Sequence, residues 1–162
     1  MLLVEHDEHG TFGLVLNRQV DLLASTLCAS LEVEWQGDPD ANIQWGGPVE
    51  PNTGWLLFDQ PVMMDSSDPA ISLVGDEGLC LARSLDVLKS VTSSPQSDVR
   101  FYLGYAGWGP GQLESEMAQG AWLVAPSSRD VVFGVEPDAM WDHVVRGLGV
   151  DPTTLISTHG IH

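Results

Sequence analysis

Basic residues are scarce in this chain. Six Lys plus Arg stand against 23 Asp plus Glu, a net charge of −17 over 162 residues. The cations (Arg18, Arg83, Lys89, Arg100, Arg129 and Arg146) are scattered and form no patch in the sequence. Phosphate backbones are held by clustered Lys and Arg, so direct DNA or RNA binding is not expected. Anionic membrane surfaces are disfavoured for the same reason. Charged residues of both signs total only 18%, below the usual value of about 25%. The imbalance is thus a shortage of bases rather than a flood of acids. It would suit a basic partner protein or a salt-rich cytoplasm, and it also serves solubility with no partner at all.

Cysteine is nearly absent. Cys28 and Cys80 are the only two, each among apolar neighbours, with no C-x-x-C. Two buried thiols in a reducing compartment are expected, rather than a disulfide or a catalytic thiol. No apolar run approaches the roughly 18 residues that span a bilayer. The opening MLLVEHDEHG is apolar for four residues and then acidic. It has neither a basic n-region nor a long apolar core, so it does not read as a secretory signal, and a cytoplasmic location is expected. There is no G-x-x-x-x-G-K-[ST], no G-x-S-x-G elbow and no Cys/His couple, which leaves no nucleotide cradle or nucleophilic triad to assemble. No cofactor is implied. Internal repeats, low-complexity tracts and a dividing linker are also missing, so residues 1–162 are expected to form one domain.

What is present alternates between strand and helix without a regular βαβ rhythm. Residues 2–5 and 12–17 read as strands joined by HDEHGT, a hairpin link. Residues 22–31 read as a helix with leucines at 23, 27 and 31 on one face. Strands are expected at Ile43–Trp45 and Trp55–Phe58 around a Gly-Gly-Pro turn. Two more are expected at 71–74 and 79–82, split by a Gly-Asp-Glu-Gly turn. Ser84 is a good N-cap for a helix over 84–91 with Leu85, Leu88 and Val91 buried, ended by SSPQSD. Val99–Leu103 and Ala121–Val124 read as strands, and Val131–Phe133 as a short extended piece. Residues 138–148 read as a helix burying Met140, Trp141, Val144, Val145 and Leu148. The mixture predicts an α+β fold with a mixed or antiparallel sheet.

The densest stretch is FYLGYAGWGPGQLESEMAQGAWLVAP, residues 101–126. Gly104, Gly107, Gly109 and Gly111 allow backbone angles that a Cβ forbids. Pro110 suits the first turn of a helix over 111–119, with Leu113 and Met117 on one face and Gly120 as its stop. A glycine turn into a helix N-terminus is a phosphate motif in some folds. Here no Lys or Arg is near, and Glu114 and Glu116 would repel an anion. The two glutamates, at i and i+2, point about 200° apart on a helix and would not converge on one substrate. Trp108 is expected as a core plug whose N–H meets a backbone carbonyl. Structure alone is therefore the favoured reading of the corner.

Two histidine pairs, His6-x-x-His9 and His159-x-x-His162, would bind zinc only if the termini met. No cysteine joins either pair, and no metal site is expected. Arg18 is expected to be a semi-buried cation paired with an acid, because a guanidinium binds carboxylates well.

Three blocks in order, EHDEHGTFGLVLNR (5–18), WGGPVE (45–50) and YLGYAGWGPGQLESEMAQGAWLVAP (102–126), resemble the bacterial AlgH/YqgE family. The resemblance runs from about residue 1 to the C-terminal helix. It implies a small cytoplasmic α+β protein with a bifurcated sheet that includes a small barrel-like core surrounded by helices. It implies no established enzymatic activity, and an association with transcriptional regulation without a DNA-binding motif. The matching positions are Gly13, Asn17 and Arg18 in the first block, and Gly46, Gly47, Pro48 and Val49 in the second. In the third they are Gly104, Tyr105, Gly107, Trp108, Gly111, Gln112, Leu113, Glu114, Glu116 and Trp122. Members usually carry a further N-terminal segment that fits a strand: either the true start lies upstream, or the member is shortened and a sheet edge is left unpaired. Gln19 stands where Pro is common.

Two functions stay open at this point. One is a non-catalytic regulatory or interaction protein with a basic protein partner. The other is a small-ligand binder or enzyme using a pocket where Asn17, Arg18, Trp45, Tyr105, Trp108 and Glu116 converge, with at least one perturbed carboxylate; a structural Arg18–Glu116 contact is a separate candidate. The first is preferred, because spacing assembles no nucleophile–base or metal constellation.

Overall fold

The computed structural model of this protein describes residues 1–59, 68–75, 78–93 and 98–156. The middle of the turn expected at 75–78, residues 94–97 of the helix-ending loop, and His159 and His162 lie outside the described residues.

Among the described residues, eight strands form one sheet. A hairpin opens it, β1 (Leu2–Asp7) and β2 (Gly10–Leu14), followed by β3 (Gln19–Leu23) and helix α1 (Ala24–Ser30). Strand β4 (Asn42–Trp45) leads through Gly46-Gly47-Pro48 into the long β5 (Val49–Asp59), and then come β6 (Ile71–Val74), β7 (Leu79–Ala82) and α2 (Leu85–Thr92). The ten-residue β8 (Val99–Trp108) is followed by α3 (Gln112–Ala118), α4 (Arg129–Gly134), α5 (Pro137–Gly147) and α6 (Pro152–Ile156). The strand order is β1-β2-β8-β5-β7-β6, with β4 joining β8 and β3 joining β4. Every pairing is antiparallel except β4 with β8. The ends β1 and β6 approach each other without pairing, so the sheet nearly closes on itself. This is the α+β architecture with a bifurcated, barrel-like sheet and surrounding helices.

The bifurcation is made by β8. One edge pairs with β5 from Val99 to Tyr105. The other is divided: Tyr102 and Leu103 pair with β4, while Ala106, Gly107 and Trp108 pair with β2. The split falls at Gly104, whose φ is +69°. A Cβ there would collide with the carbonyl of Gly47, and a Cβ on Gly46 would collide with the carbonyl of Gly104. Backbones this close require glycine. The crossing is tied by Gly46 N–H to the Leu103 carbonyl at 2.7 Å and by Val15 N–H to the Gly46 carbonyl at 2.8 Å. The Gly-Gly of WGGPVE and the first glycine of the third block thus belong to one contact.

Each face of the sheet carries its own core. Leu56, Phe58, Cys80, Ala82 and Phe101 pack with α1 and α2 through Ala24, Cys28, Val87, Leu88 and Val91. On the opposite face Leu57, Leu79, Leu81 and Tyr102 pack with Leu2, Leu14, Val132 and Met140. Because side chains alternate across a strand, β5 and β7 feed both cores. That is why β7, Leu-Cys-Leu-Ala, is buried at every position.

Several expectations need correction. The α1 face is set by Ala24 and Cys28, while Leu23 and Leu31 are exposed. In α2, capped by Ser84 Oγ accepting from Asp86 and Val87 N–H, Val87 is buried and Leu85 is exposed. In α5, Met140 and Val145 are buried and Trp141 and Leu148 exposed. The strand expected to end at Leu103 runs on through Gly104 and Gly107 to Trp108. Residues 121–124 form no strand. Val131–Phe133 belongs to helix α4, because Ser128 Oγ caps it by accepting from Val131 N–H at 3.1 Å. Arg129 anchors its first turn to Asp59 and Asp98. Tertiary pairing and a cap override the strand preference of two valines and a phenylalanine.

Candidate functional site

At the end of β8 the chain turns through Gly109-Pro110-Gly111, and Gly111, at φ +71°, is the N-cap of α3. Pro110 therefore precedes the helix instead of opening it. Gln112 Oε1 accepts from Gly109 N–H at 3.1 Å and closes the turn. Gln112 Nε2 donates to Glu116 Oε1 at 3.0 Å, one helical turn on. The other carboxylate oxygen of Glu116 accepts from two indoles, Trp108 Nε1 at 3.1 Å and Trp122 Nε1 at 2.7 Å. The two rings meet edge to face at 5.8 Å and 77°. These hydrogen bonds, Trp122 first, then Gln112 and Trp108, hold the Glu116 carboxyl below its ordinary range.

Trp108 is thus half-buried, with a carboxylate as its partner instead of a backbone carbonyl. Helix α3 ends as expected. Gly120 N–H meets the Met117 carbonyl at 2.9 Å, and Ala121 N–H meets the Glu116 carbonyl at 3.0 Å, with Gly120 at φ +74°. Leu113 is buried and Met117 is exposed, so the two do not share the buried face. Glu114 points elsewhere: its Oε1 lies 3.6 Å from His6 Nε2, and His6 Nδ1 lies 2.6 Å from Thr11 Oγ1. The i, i+2 glutamates diverge.

Against the core of Leu14, Leu57, Leu81 and Tyr102 lies an aromatic groove. Phe12, Trp55 and Tyr105 are in mutual contact, with centroids 4.8, 5.0 and 6.1 Å apart. One lobe, of about 550 Å³, runs from Val4 and Glu5 past these rings to Glu50, Ser72, Leu73 and Arg83. A second, of about 440 Å³, shares Glu5, Phe12 and Tyr105 and continues along Asp7, Gly107 and Trp108. The Arg83 guanidinium lies 4.8 Å from the Trp55 ring centroid. Trp108 therefore belongs both to the groove and to the Glu116 cluster.

Asn17 and Arg18 are exposed in the link between β2 and β3. Arg18 stacks on the Trp45 ring at 4.5 Å, and its carbonyl accepts from Trp45 N–H at 2.7 Å. The expected semi-buried Arg18–acid pair is replaced by a cation–π contact in water. Trp45 pairs with Leu103, five residues before Trp108 along β8, which is on the order of 15 Å of strand. Glu116 is already committed to two tryptophans and a glutamine. The residues Asn17, Arg18, Trp108 and Glu116 therefore occupy two places, and an Arg18–Glu116 pair is not among the ion pairs of the described residues. Gly46 and Gly47 serve the strand crossing, and Pro48 is exposed beside it. Of the motif positions, Val49, Tyr105, Gly107 and Trp108 line the groove.

Phe12, Trp55, Glu5, Glu50 and Arg83 were not legible as site residues. They come from four separate segments, β1, β2, β5 and the end of β7, that only β-pairing brings together. Among the described residues no three His, Cys, Asp or Glu are grouped to hold a metal. No described helix is long and apolar enough to cross a membrane.

A family model described as AlgH-like, DUF179, matches residues 1–153. The chain belongs to the AlgH-like family. A UPF0301 protein of Myxococcus xanthus is 38% identical over 163 residues, covering 100% of this chain and 87% of the relative. One from Magnetococcus marinus is 33% identical, covering 99% and 84%. The solution structure of the AlgH protein from Pseudomonas aeruginosa superposes with a TM-score of 0.69 at 30% identity, covering 99% of this chain and 83% of that one. Protein DIP2367 of Corynebacterium diphtheriae shares the fold at a TM-score of 0.70 and 24% identity, covering 90% and 75%. The AlgH-like blocks that stand apart in the sequence meet in this chain at the Gly46–Gly104 crossing and at the β8–α3 corner.

Proposed function

We propose that this AlgH-like chain is a non-catalytic, cytoplasmic interaction protein, and that its groove receives a basic segment of a partner protein. Any regulatory role would act through that partner. The observation that carries the reading is the groove itself: three contacting rings, Phe12, Trp55 and Tyr105, bordered by Glu5, Asp7 and Glu50. Aromatic faces attract guanidinium and ammonium groups, most strongly where water is displaced. Carboxylates at a rim steer and orient a cationic partner. A surface of net −17 adds long-range attraction of the same sign. Arg83, resting on Trp55, already occupies one ring face with the kind of group a partner would bring.

The test is fluorescence anisotropy with labelled peptides rich in arginine, rich in lysine, and acidic. Binding of the basic peptides is expected, weakening as salt is raised. Glu50→Gln and Glu5→Gln should each weaken it about two- to fivefold, the worth of an exposed ion pair. Glu34→Gln, whose side chain does not line the groove, should not. Equal losses from all three substitutions would mean general charge attraction and would remove the groove from the proposal.

A further inference from the structure

Residues 117–128, MAQGAWLVAPSS, carry no charged side chain in a chain of net −17. Within them lies an exposed apolar patch. Trp122, Leu123 and Val124 are 38%, 54% and 67% exposed, and the nearby Met117 is 42% exposed. Large apolar side chains grouped on a surface mark an interaction site more often than scattered ones do. The backbone is free as well. Among the described residues, no backbone hydrogen bond involves the N–H or C=O of Trp122, Leu123, Val124 or Ala125.

Both ends of this free run are held. On one side, the Gly120 turn and the Trp122–Glu116 hydrogen bond fix it to α3. On the other, Ser128 caps α4, and Arg129 is bound to Asp59 and Asp98. The sequence Ala-Trp-Leu-Val-Ala has the composition of a strand, yet none of the described strands pairs with it. Such a run, with its hydrogen-bonding groups unspent, is a template for another chain.

We infer that residues 121–125 are a self-association surface, occupied by the same segment of a second copy in antiparallel pairing about a two-fold axis through Leu123. The inference does not depend on the basic-partner reading. The charge distribution selects the occupant. Two copies of net −17 repel over most of their surface, whereas this stretch has no charge of its own and the carboxylate beside it, Glu116, is already held by the N–H groups of Trp122, Trp108 and Gln112. Antiparallel pairing about Leu123 is isologous: Trp122 of each copy lies opposite Val124 of the other, an aromatic–β-branched pair of the kind that stabilises sheets. Pro126, which has no N–H, ends the pairing there.

The test is sedimentation equilibrium of the full chain over a range of concentrations, at salt from about 0.01 M to about 1 M, where the screening length falls from roughly 30 Å to roughly 3 Å. A dimer is expected, and it should strengthen with salt, opposite to the salt dependence of basic-peptide binding. Leu123→Glu would set like charges against each other at the axis and should weaken association at least tenfold with the melting temperature unchanged. Leu85→Glu, an exposed leucine on α2, adds the same charge elsewhere and should leave association intact. Hydrogen exchange at Trp122, Leu123, Val124 and Ala125 should slow as protein concentration rises. A monomer at about 1 mM in high salt overturns the inference. So does a dimer indifferent to Leu123→Glu, or one whose formation leaves those four amides unprotected.

Discussion

Gly104→Ala is the sharpest perturbation of this fold, and its cost follows from two separable effects. The first is local: an L-residue held near φ +69° gives up about 1–2 kcal/mol. The second is the collision of the new Cβ with the Gly47 carbonyl, close to that of Val49 as well. Backbone must move, and the bonds at risk are Gly46 N–H to Leu103 and Val15 N–H to Gly46, at 2.7 and 2.8 Å. Each contributes about 1 kcal/mol net. The total is about 3–4 kcal/mol, and at roughly 2–4 °C per kcal/mol for a domain of this size, melting should fall by about 10 °C. Gly111→Ala separates the effects. Gly111 has φ +71°, but nothing lies within 4 Å of a Cβ built there. It should lose only the local cost, about 1–2 kcal/mol. Thermal unfolding followed by circular dichroism measures both variants. Equal losses at the two positions would refute the claim that the strand crossing, rather than backbone angle alone, demands glycine at 104.

Two further predictions concern titrating groups. Glu116 has its carboxyl held below its ordinary value of 4.5 by hydrogen bonds to Trp122, Gln112 and Trp108. A depressed carboxyl contributes stability above its unfolded pKa, and that contribution is lost as pH falls through the lower folded value. Glu116→Gln should therefore lower the melting temperature by a constant amount at neutral pH, with the gap from wild type closing below about pH 4. A pH-independent gap would count against the carboxylate's role. The variant should also weaken the near-ultraviolet dichroism of Trp108 and Trp122. The thiols of Cys28 and Cys80 are pushed above their ordinary 9.0, both by burial and Cys80 also by Asp59. The folded protein should leave both unreactive to a thiol reagent at about pH 8 and release both on unfolding. With the folded pKa raised, their contribution is complete below the unfolded value and lost as pH rises through the folded one. Cys28→Ser should cost about 1–3 kcal/mol by burying an unpaired hydroxyl; native-state labelling at the unfolded rate would contradict the burial.

Much of the fold is readable one segment at a time. Ser84 announces α2, Gly120 ends α3, and the apolar stretches at 12–17 and 55–58 mark strands. Helix faces were displaced where small residues did the packing: Ala24 and Cys28 are buried in α1 while Leu23 and Leu31 stay exposed. Bulk hydrophobicity favours the leucines, but contact with the sheet selects the residues that fit beneath the helix. Residues 121–124 have the composition of a strand but pair with none of the described strands, and pairing cannot be read from one segment. At the corner, the divergence of Glu114 and Glu116 followed from helix geometry alone. Their partners did not, because Trp108 and Trp122 reach Glu116 from opposite ends of the motif.

By itself the sequence determined that the chain is acidic, carries two isolated cysteines, mixes helices and strands, and bears the blocks of the AlgH-like family. These are properties of composition and local order, and they survive without knowing any neighbour. Only the tertiary structure decided that Gly46 and Gly104 are two halves of one crossing, and that Arg18 lies on Trp45 rather than on an acid. It alone gathers Phe12, Trp55 and Tyr105, from three strands, into a single groove. Each of these depends on which strand edges pair and in what register, a choice made by burial across the whole sheet at once.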